Sequence, residues 1–400
     1  LANLILIRYE EIALKGRNRY HFENKLVYHV KRLLRPLGHI KIKTLQCRML
    51  VNIGNIDRDE AFSRLKTIFG IASFSLVTQI NAEEEAIYHT AKATLLKAMK
   101  EREDNKSGEE AEVSFRVTVK RADKKFPLNS MELASKVGGY LLENIPGLKV
   151  DLHNPQLVVS VDVRHGQAYI FSETIPGAGG LPVGANGKGV LLLSGGIDSP
   201  VAGWMAMKRG VSLEAVHFHS FPFTGEKSKE KVKDLCRLLA KYDDQFILHL
   251  VHFTEIQKAI HKLCPESLRI TVMRRFMFRI AQRIAMRNKA LALITGESVG
   301  QVSSQTLENM AVINEVTQMP VLRPLVAFDK SEIMELARKI GSYDISIRPH
   351  EDCCTLFLPK GPLTVKPNKG KIAKVESLLD METLIEEALE RTETLTFIEK

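Results

Sequence analysis

Residues 194–199 read Ser-Gly-Gly-Ile-Asp-Ser and follow directly on the apolar run Val-Leu-Leu-Leu at 190–193. Gly195 and Gly196 let backbone amides turn inward and approach phosphate oxygens closely, and a helix beginning near Ser199 adds its positive end. Ser194 and Ser199 offer hydroxyl donors. Asp198 is repelled by phosphate unless a divalent cation lies between them, so Mg2+, held through the phosphates, is its expected partner. The loop has no lysine, whereas GxxxxGK[ST] places one on the β- and γ-phosphates, where a phosphoryl group is transferred. A cradle of amides without lysine suits a site that holds pyrophosphate as leaving group while the chemistry takes place at the α-phosphorus.

Such a loop needs a strand before it and a helix after it. From Val190 onward apolar strands alternate with amphipathic helices: VLLL with SPVAGWMAMKRG, SLEAVHFHS with SKEKVKDLCRLLAKY, QFILHLVHF with ESLRITVMRRFMFRIAQRIAMRNK, then ALALITGES. This grammar predicts a doubly wound parallel sheet covered on both faces, with ligands outside the carboxyl ends of its strands, over 190–400. Residues 1–80 read β-α-β-β-α-β, a ferredoxin-like α+β unit. A second α/β unit occupies 81–174, and the Gly/Pro-rich segment 175–189 reads as a linker or hinge. The fold class is α/β throughout.

The chain has 400 residues and a net charge of +10. Residues 1–50 hold eleven Lys/Arg against three carboxylates, while 371–400 hold four basic and eight acidic side chains. The basic N-terminal end suggests a polyanionic partner. No stretch is apolar enough to cross a bilayer and the start lacks a signal-peptide pattern, so a cytoplasmic protein without a membrane partner is expected. Five cysteines with no CxxC argue for reduced thiols rather than disulfides or a zinc site.

LLLSGGIDSP resembles the PP-loop of the ATP pyrophosphatases. Together with VHFHS, MRRFM, ITGESVGQVSSQTLENM and EDCCTLFLP, it makes the whole chain similar to the tRNA 4-thiouridine synthetases, with 81–174 as a THUMP RNA-binding domain. The resemblance implies nucleotide contacts at Leu192, Leu193, Ser194, Gly195, Gly196, Asp198, Ser199, His217, Phe218, Arg274, Gly296 and Gln305. By itself His217 reads equally as a ligand contact or as a half-buried structural histidine, and Arg274 reads more readily as a snorkelling surface residue. The implied reaction uses ATP and Mg2+: uracil O4 of uridine 8 in tRNA attacks the α-phosphorus, pyrophosphate leaves, and sulfur displaces AMP from C4.

The implied catalytic residues are Asp198 and the adjacent Cys353 and Cys354, whose persulfide delivers sulfur or whose thiol resolves a disulfide, with Cys354 preferred. Some members carry a C-terminal rhodanese domain; no cysteine follows Cys354 here, so a cysteine desulfurase or another persulfide donor acting in trans is expected. A homodimer, and a sulfur-carrier protein serving thiamine thiazole synthesis, are further implied partners. RNA contacts are expected from loop-borne cations, Lys15, Arg17 and Arg19 in one cluster and Lys120, Arg121, Lys124 and Lys125 in another. Two alternatives stand beside this reading: another PP-loop adenylating ligase or 2-thiouridylase-like enzyme, and a tRNA-binding protein with an inactive loop.

Overall fold

Phe22, Leu26, Val30 and Leu33 recur at helical spacing and form the buried face of α1 (Arg19–Leu34), which follows strand β1 (Leu4–Arg8). In this computed structural model residues 3–103, 112–221, 225–349 and 366–398 are described. They divide into two units, Leu1–Gly180 and Leu181–Lys400.

In the first unit β2 (Lys41–Leu45), β3 (Arg48–Asn52), α2 (Arg58–Leu65) and β4 (Ser73–Asn81) complete the β-α-β-β-α-β order, and the strands lie β2-β3-β1-β4, all antiparallel. The ferredoxin-like reading holds. Then come α3 (Glu84–Glu103), β5 (Val113–Arg121), α4 (Ser130–Asn144), β6 (Leu148–Val150), β7 (Leu157–Arg164) and β8 (Gln167–Phe171). Asn129 and Glu132 fix the start of α4 by a capping box, and its Leu133, Val137 and Leu141 pack with Ile87, Leu95 and Phe115 into one core. The first half of β4 pairs with β1 and its second half with β8. A single sheet therefore runs through both subunits of the sequence pattern, and β4 belongs to each.

The segment read as a linker is tied down on both sides. Ile175–Pro176 forms β9, paired with β4, and the amides of Gly177 and Gly179 bond to Ala72 and Ile71. A Cβ on Gly177 would lie 2.2 Å from the Ile71 carbonyl oxygen, so this close approach admits only glycine. Farther on, Leu181 and Asn186 bond to the backbone around Lys208 and Gly210.

The second unit is built on β10 (Lys188–Leu192), α5 (Asp198–Lys208), β11 (Ser212–His219), α6 (Glu226–Ala240), β12 (Phe246–His252), α7 (Thr254–Leu263), α8 (Arg269–Arg287), β13 (Ala292–Ile294), α9 (Leu307–Asn314), β14 (Val321–Leu322), α10 (Lys330–Ile340) and α11 (Tyr343–Ser346). After residues 350–365, which are not described, α12 (Lys369–Glu376), α13 (Met381–Glu390) and β15 (Glu393–Phe397) follow. The order β14-β13-β10-β11-β12-β15 is parallel except for β15, which adds antiparallel to β12. Chain direction across the sheet reverses between β10 and β13. That is the switch point of a doubly wound sheet, where its ligand crevice opens.

The acidic end of the chain has its partner within this unit. Glu376 takes both oxygens to Arg275 (2.8 and 2.9 Å) and to Arg279 (2.7 and 3.1 Å), and Arg283 reaches Glu382 and Glu386. Burial alone would raise the Glu376 carboxyl, but the two guanidiniums outweigh it and hold it below its ordinary value. Glu376→Gln is expected to lower unfolding free energy by about 1.5–3 kcal/mol, the range for hydrogen bonds to charged groups. Glu382→Gln, on an exposed carboxylate, is expected to leave the urea midpoint unmoved; equal losses from both would contradict this ranking.

Candidate active site at the switch point

The chain leaves β10 at Leu192, turns through 193–197 and enters α5 at Asp198. Two serines shape the turn. The Ser199 hydroxyl accepts the Ser194 amide at 2.9 Å and donates to the Ser194 carbonyl at 3.2 Å, the two hydroxyls lie 3.1 Å apart, and the Gly196 amide donates to Ser194 Oγ at 3.2 Å. The hydroxyls read from sequence as phosphate donors thus brace the loop itself. From α11, the Ser346 hydroxyl donates to the Gly196 carbonyl at 3.2 Å.

Gly296, on the loop after β13, lies against the first turn of α5. A Cβ there would sit 2.7 Å from the Ser199 nitrogen and 2.8 Å from the Asp198 carbonyl carbon. Both are backbone atoms, so Gly296→Ala must push the two loops of the crevice apart. It is expected to cost about 1–3 kcal/mol, as overpacking does, and to weaken ATP binding; an unchanged melting temperature and ATP affinity would show that the loops do not touch.

Asp198 carries an ion pair that sequence reasoning missed. Its Oδ1 accepts Lys330 Nζ at 2.6 Å and its Oδ2 accepts Gln301 Nε2 at 3.1 Å. Lys330 is the first residue of α10, held there by the Asp329/Glu332 capping box. The ammonium absent from the loop is supplied by another helix. The capping pattern in FDKSE marks a helix start, but nothing in its spacing aims the lysine at residue 198.

Arg274 lies on α8 and is not a snorkelling surface side chain. Its guanidinium reaches Glu297 at 2.5 Å and the Ser304 hydroxyl at 3.4 Å. Glu297 is 2% exposed and also accepts Arg323 Nε at 2.7 Å and the Thr295 hydroxyl at 2.9 Å. Burial pushes its carboxyl up, yet Arg274 and Arg323 prevail and keep it below its ordinary value. Gln305 ends a short 3-10 turn, with its side-chain oxygen buried and unpartnered among the described residues. His217 is buried, and its Nδ1 lies 2.9 Å from the Leu193 carbonyl, so that nitrogen carries the proton. Phe218 turns the other way, edge-to-face on Phe253 in the core at 5.2 Å between centroids, and Leu193 is buried as well. What Phe218 and Leu193 can present to a ligand is main chain.

The first basic cluster sits around the start of α1: Lys15 pairs with Glu11 at 3.3 Å, Arg17 lies in the 3-10 turn Gly16–Asn18, and Arg19 pairs with Glu23 at 3.4 Å. Tyr20 beside them is 73% exposed. The second cluster is not wholly loop-borne, because Lys120 and Arg121 end strand β5, and Arg121 donates to the Phe126 and Leu128 carbonyls to hold the turn that carries Lys124 and Lys125.

Three matches follow the chain from end to end. Residues 4–75 match the ThiI ferredoxin-like domain, 81–173 the THUMP domain, and 184–381 the family described as thiamine biosynthesis protein (ThiI). Proteins named "Probable tRNA sulfurtransferase" from Moorella thermoacetica and Brevibacillus brevis are 50% and 49% identical over 98% of this chain and 97% and 95% of their own. The chain belongs to the ThiI family. A solved 4-thiouridine synthetase in complex with RNA and with bound ATP is 40% identical, covers all of both chains and superposes with a TM-score of 0.87. A Pyrococcus horikoshii Ot3 protein is 27% identical over 85% of this chain, with a TM-score of 0.65.

Cys353 and Cys354 of this ThiI-family chain lie outside the described residues. Burial raises the thiols of Cys236 and Cys264, the latter to about 11, which leaves both protonated and poor nucleophiles at neutral pH. Cys47 is half-buried in the turn between β2 and β3, at a φ of 58°. Among the described residues no three His, Cys, Asp or Glu side chains converge as a metal site. Asp198 alone, already holding an ammonium, fits a magnesium ion carried chiefly by phosphates, which is how that ion commonly binds.

Proposed function

We propose that this ThiI-family chain converts uridine 8 of tRNA to 4-thiouridine at the expense of ATP, with the nucleotide seated in the crevice between β10 and β13. The observation that carries this reading is the serine-braced glycine loop at the switch point, with Lys330 brought to it by Asp198. The N-terminus of α5 faces the β- and γ-phosphates, the Gly196 amide exchanges its bond to Ser194 Oγ for a phosphate oxygen when the nucleotide binds, and Lys330, Arg274 and Arg323 add positive charge around them. Main chain at Leu192, Leu193 and Phe218, with the His217 ring, borders the adenine; Gly296 and Gln305 close the opposite wall. Asp198, together with the phosphates, would hold a magnesium ion, which would supply charge neutralisation for the departing pyrophosphate.

The uracil O4 attacks the α-phosphorus, the bond to the bridging oxygen breaks, and pyrophosphate leaves with the electron pair. The adenylated base then carries a good leaving group at C4. The terminal sulfur of a persulfide borne by Cys354, or by Cys353, attacks C4 and expels AMP, leaving a cysteine–S–S–C4 mixed disulfide. The neighbouring cysteine's thiolate then attacks the cysteine sulfur, the S–S bond breaks to release 4-thiouridine, and an external thiol reduces the protein disulfide left behind. A desulfurase or sulfurtransferase in trans loads that persulfide, a homodimer is the working form in the cytoplasm, and a sulfur-carrier protein is a second acceptor. Lys15, Arg17, Arg19, Lys120, Arg121, Lys124 and Lys125 face the tRNA backbone.

Incubating transcript tRNA with the protein, MgATP and a persulfide source, then analysing nucleosides by mass spectrometry, tests the assignment. Four-thiouridine at one position is expected; sulfur at C2, or ATP consumption independent of RNA, would overturn it. Cys354→Ser is expected to spare tRNA-dependent pyrophosphate release while lowering persulfide-dependent thiolation by about a hundredfold or more, as loss of a covalent nucleophile does. If Cys353→Ser does this instead, the sulfur sits one residue earlier.

A further inference from the structure

Each carbonyl of a helix accepts the amide four residues on. For Gly196, where the chain turns into α5, that residue is Pro200, which has no N–H. The missing donor comes from another element. Ser346 of α11, 6% exposed, gives its hydroxyl hydrogen to the Gly196 oxygen at 3.2 Å. A trans peptide unit points its N–H opposite to its C=O, so holding the Gly196 oxygen fixes the direction of the Ile197 amide.

Ile197 is the N-cap of α5, already helical at φ −70° and ψ −35°, and half-buried. Its amide makes no hydrogen bond among the described residues. The amides around it are less available: Gly196 donates to Ser194 Oγ at 3.2 Å, the Ser199 nitrogen lies under Gly296, and Pro200 has none. A helix start that has lost a donor to proline depends more on the amide just before it, and the aim of that amide depends on Ser346.

The hydroxyl is itself held in place. Gly341, at a φ of 79°, ends α10, and the buried Ser342, whose amide bonds to the Ala337 carbonyl at 2.9 Å, turns the chain into α11. On the far side of α11 Arg348 pairs with Asp234 of α6, and the Arg348 carbonyl accepts the Lys231 ammonium at 3.4 Å. Because α10 begins at Lys330, which pairs with Asp198, the α10–α11 hairpin touches the loop at two points, by charge at Asp198 and by a hydroxyl at Gly196.

We propose that Ser346 is a positioning residue for adenylation: its hydroxyl sets the Gly196–Ile197 peptide so that the Ile197 amide meets the β,γ-diphosphate of ATP. This rests on the nucleotide reading above and deepens it, since Ser346 touches no ligand and acts through one peptide plane.

Calorimetric titration of the full-length chain in the presence of Mg2+, with α,β-methylene-ATP, inorganic pyrophosphate and AMP in turn, tests it. Ser346→Ala is expected to weaken the first two ligands by about three- to tenfold, the worth of one hydrogen bond, and to leave AMP within about twofold of the wild type. Pyrophosphate release at saturating ATP is expected to fall about tenfold, less than the loss of a whole donor, with the KM for tRNA unchanged. Ser346→Thr keeps the hydroxyl and is expected to restore binding and release. In NMR spectra of protein with isotope-labelled isoleucine, the Ile197 amide, recognised by its loss in Ile197→Val, is expected to shift on adding pyrophosphate in the wild type and to stay in place in Ser346→Ala. If Ser346→Ala weakens AMP as much as pyrophosphate, the crevice has loosened as a whole and the proposal is overturned, as it is by an Ile197 amide that ignores pyrophosphate in the wild type. A wild type that binds α,β-methylene-ATP no better than AMP would instead refute the grip on the diphosphate, and with it the nucleotide reading itself.

Discussion

Asp198→Ala is expected to lower tRNA-dependent pyrophosphate release by at least about a hundredfold, the scale on which removing a single charge-stabilising group acts in transition states of this kind. Two partners lose their anchor together: Lys330, 2.6 Å away, and Gln301, 3.1 Å away. Lys330 is 43% exposed and finds water, so the unfolding free energy is expected to change by no more than about 1 kcal/mol. Affinity for tRNA is expected to stay near the wild-type value, because the basic clusters assigned to it lie in the other unit. Pyrophosphate release at the normal rate from the variant would remove Asp198 and Lys330 from the account together.

Glu297→Ala is expected to be the most damaging change to stability, about 3–5 kcal/mol, since it strands two buried guanidiniums around one vanished carboxylate. Glu297→Gln keeps the volume and one acceptor oxygen but puts an amide donor against the other guanidinium, and is expected to fold while binding ATP more weakly as Arg274 and Arg323 repel each other. The same carboxyl predicts an acid limit. Its folded value lies below the ordinary 4.5, so the stability it contributes is complete above that pH and is lost as pH falls through the folded value. Glu214, shielded by His249 and Lys188, and Glu376 shift in the same direction and lose stability over the same window. Melting temperatures from pH 7 down to pH 3 should therefore fall most steeply below about pH 4.5 in the wild type and less steeply in Glu297→Gln. Parallel curves would show that Glu297 is not held ionised.

Where spacing alone dictates structure, the chain is readable. The SGGIDS run, flanked by an apolar strand and a helix, falls at the switch point, and the β-α-β-β-α-β order of the first 80 residues forms the antiparallel sheet its alternation implies. What was not legible depends on long-range packing. Lys330 reaches Asp198 across 132 residues, Ser346 reaches Gly196 across 150, and no local pattern records either meeting. Read from the α8 stripe alone Arg274 passes for a surface side chain, because a helix stripe cannot show which of its arginines meets a buried carboxylate, here Glu297 on the loop after β13. Composition shows that the loop holds two hydroxyls but not that they engage its own backbone. The acidic tail, taken as a contrast to the basic N-terminal end, is bound to the arginine stripe of α8 and adds β15 to the sheet.

A loop between β10 and α5 that grips the β,γ-diphosphate of ATP, as proposed, leaves the α-phosphorus open to attack. Phosphorus NMR of the spent nucleotide, with tRNA and a sulfur source present, reads this directly. AMP and pyrophosphate, formed in equal amounts with the thiolated base, are the predicted products; ADP and orthophosphate would contradict the account.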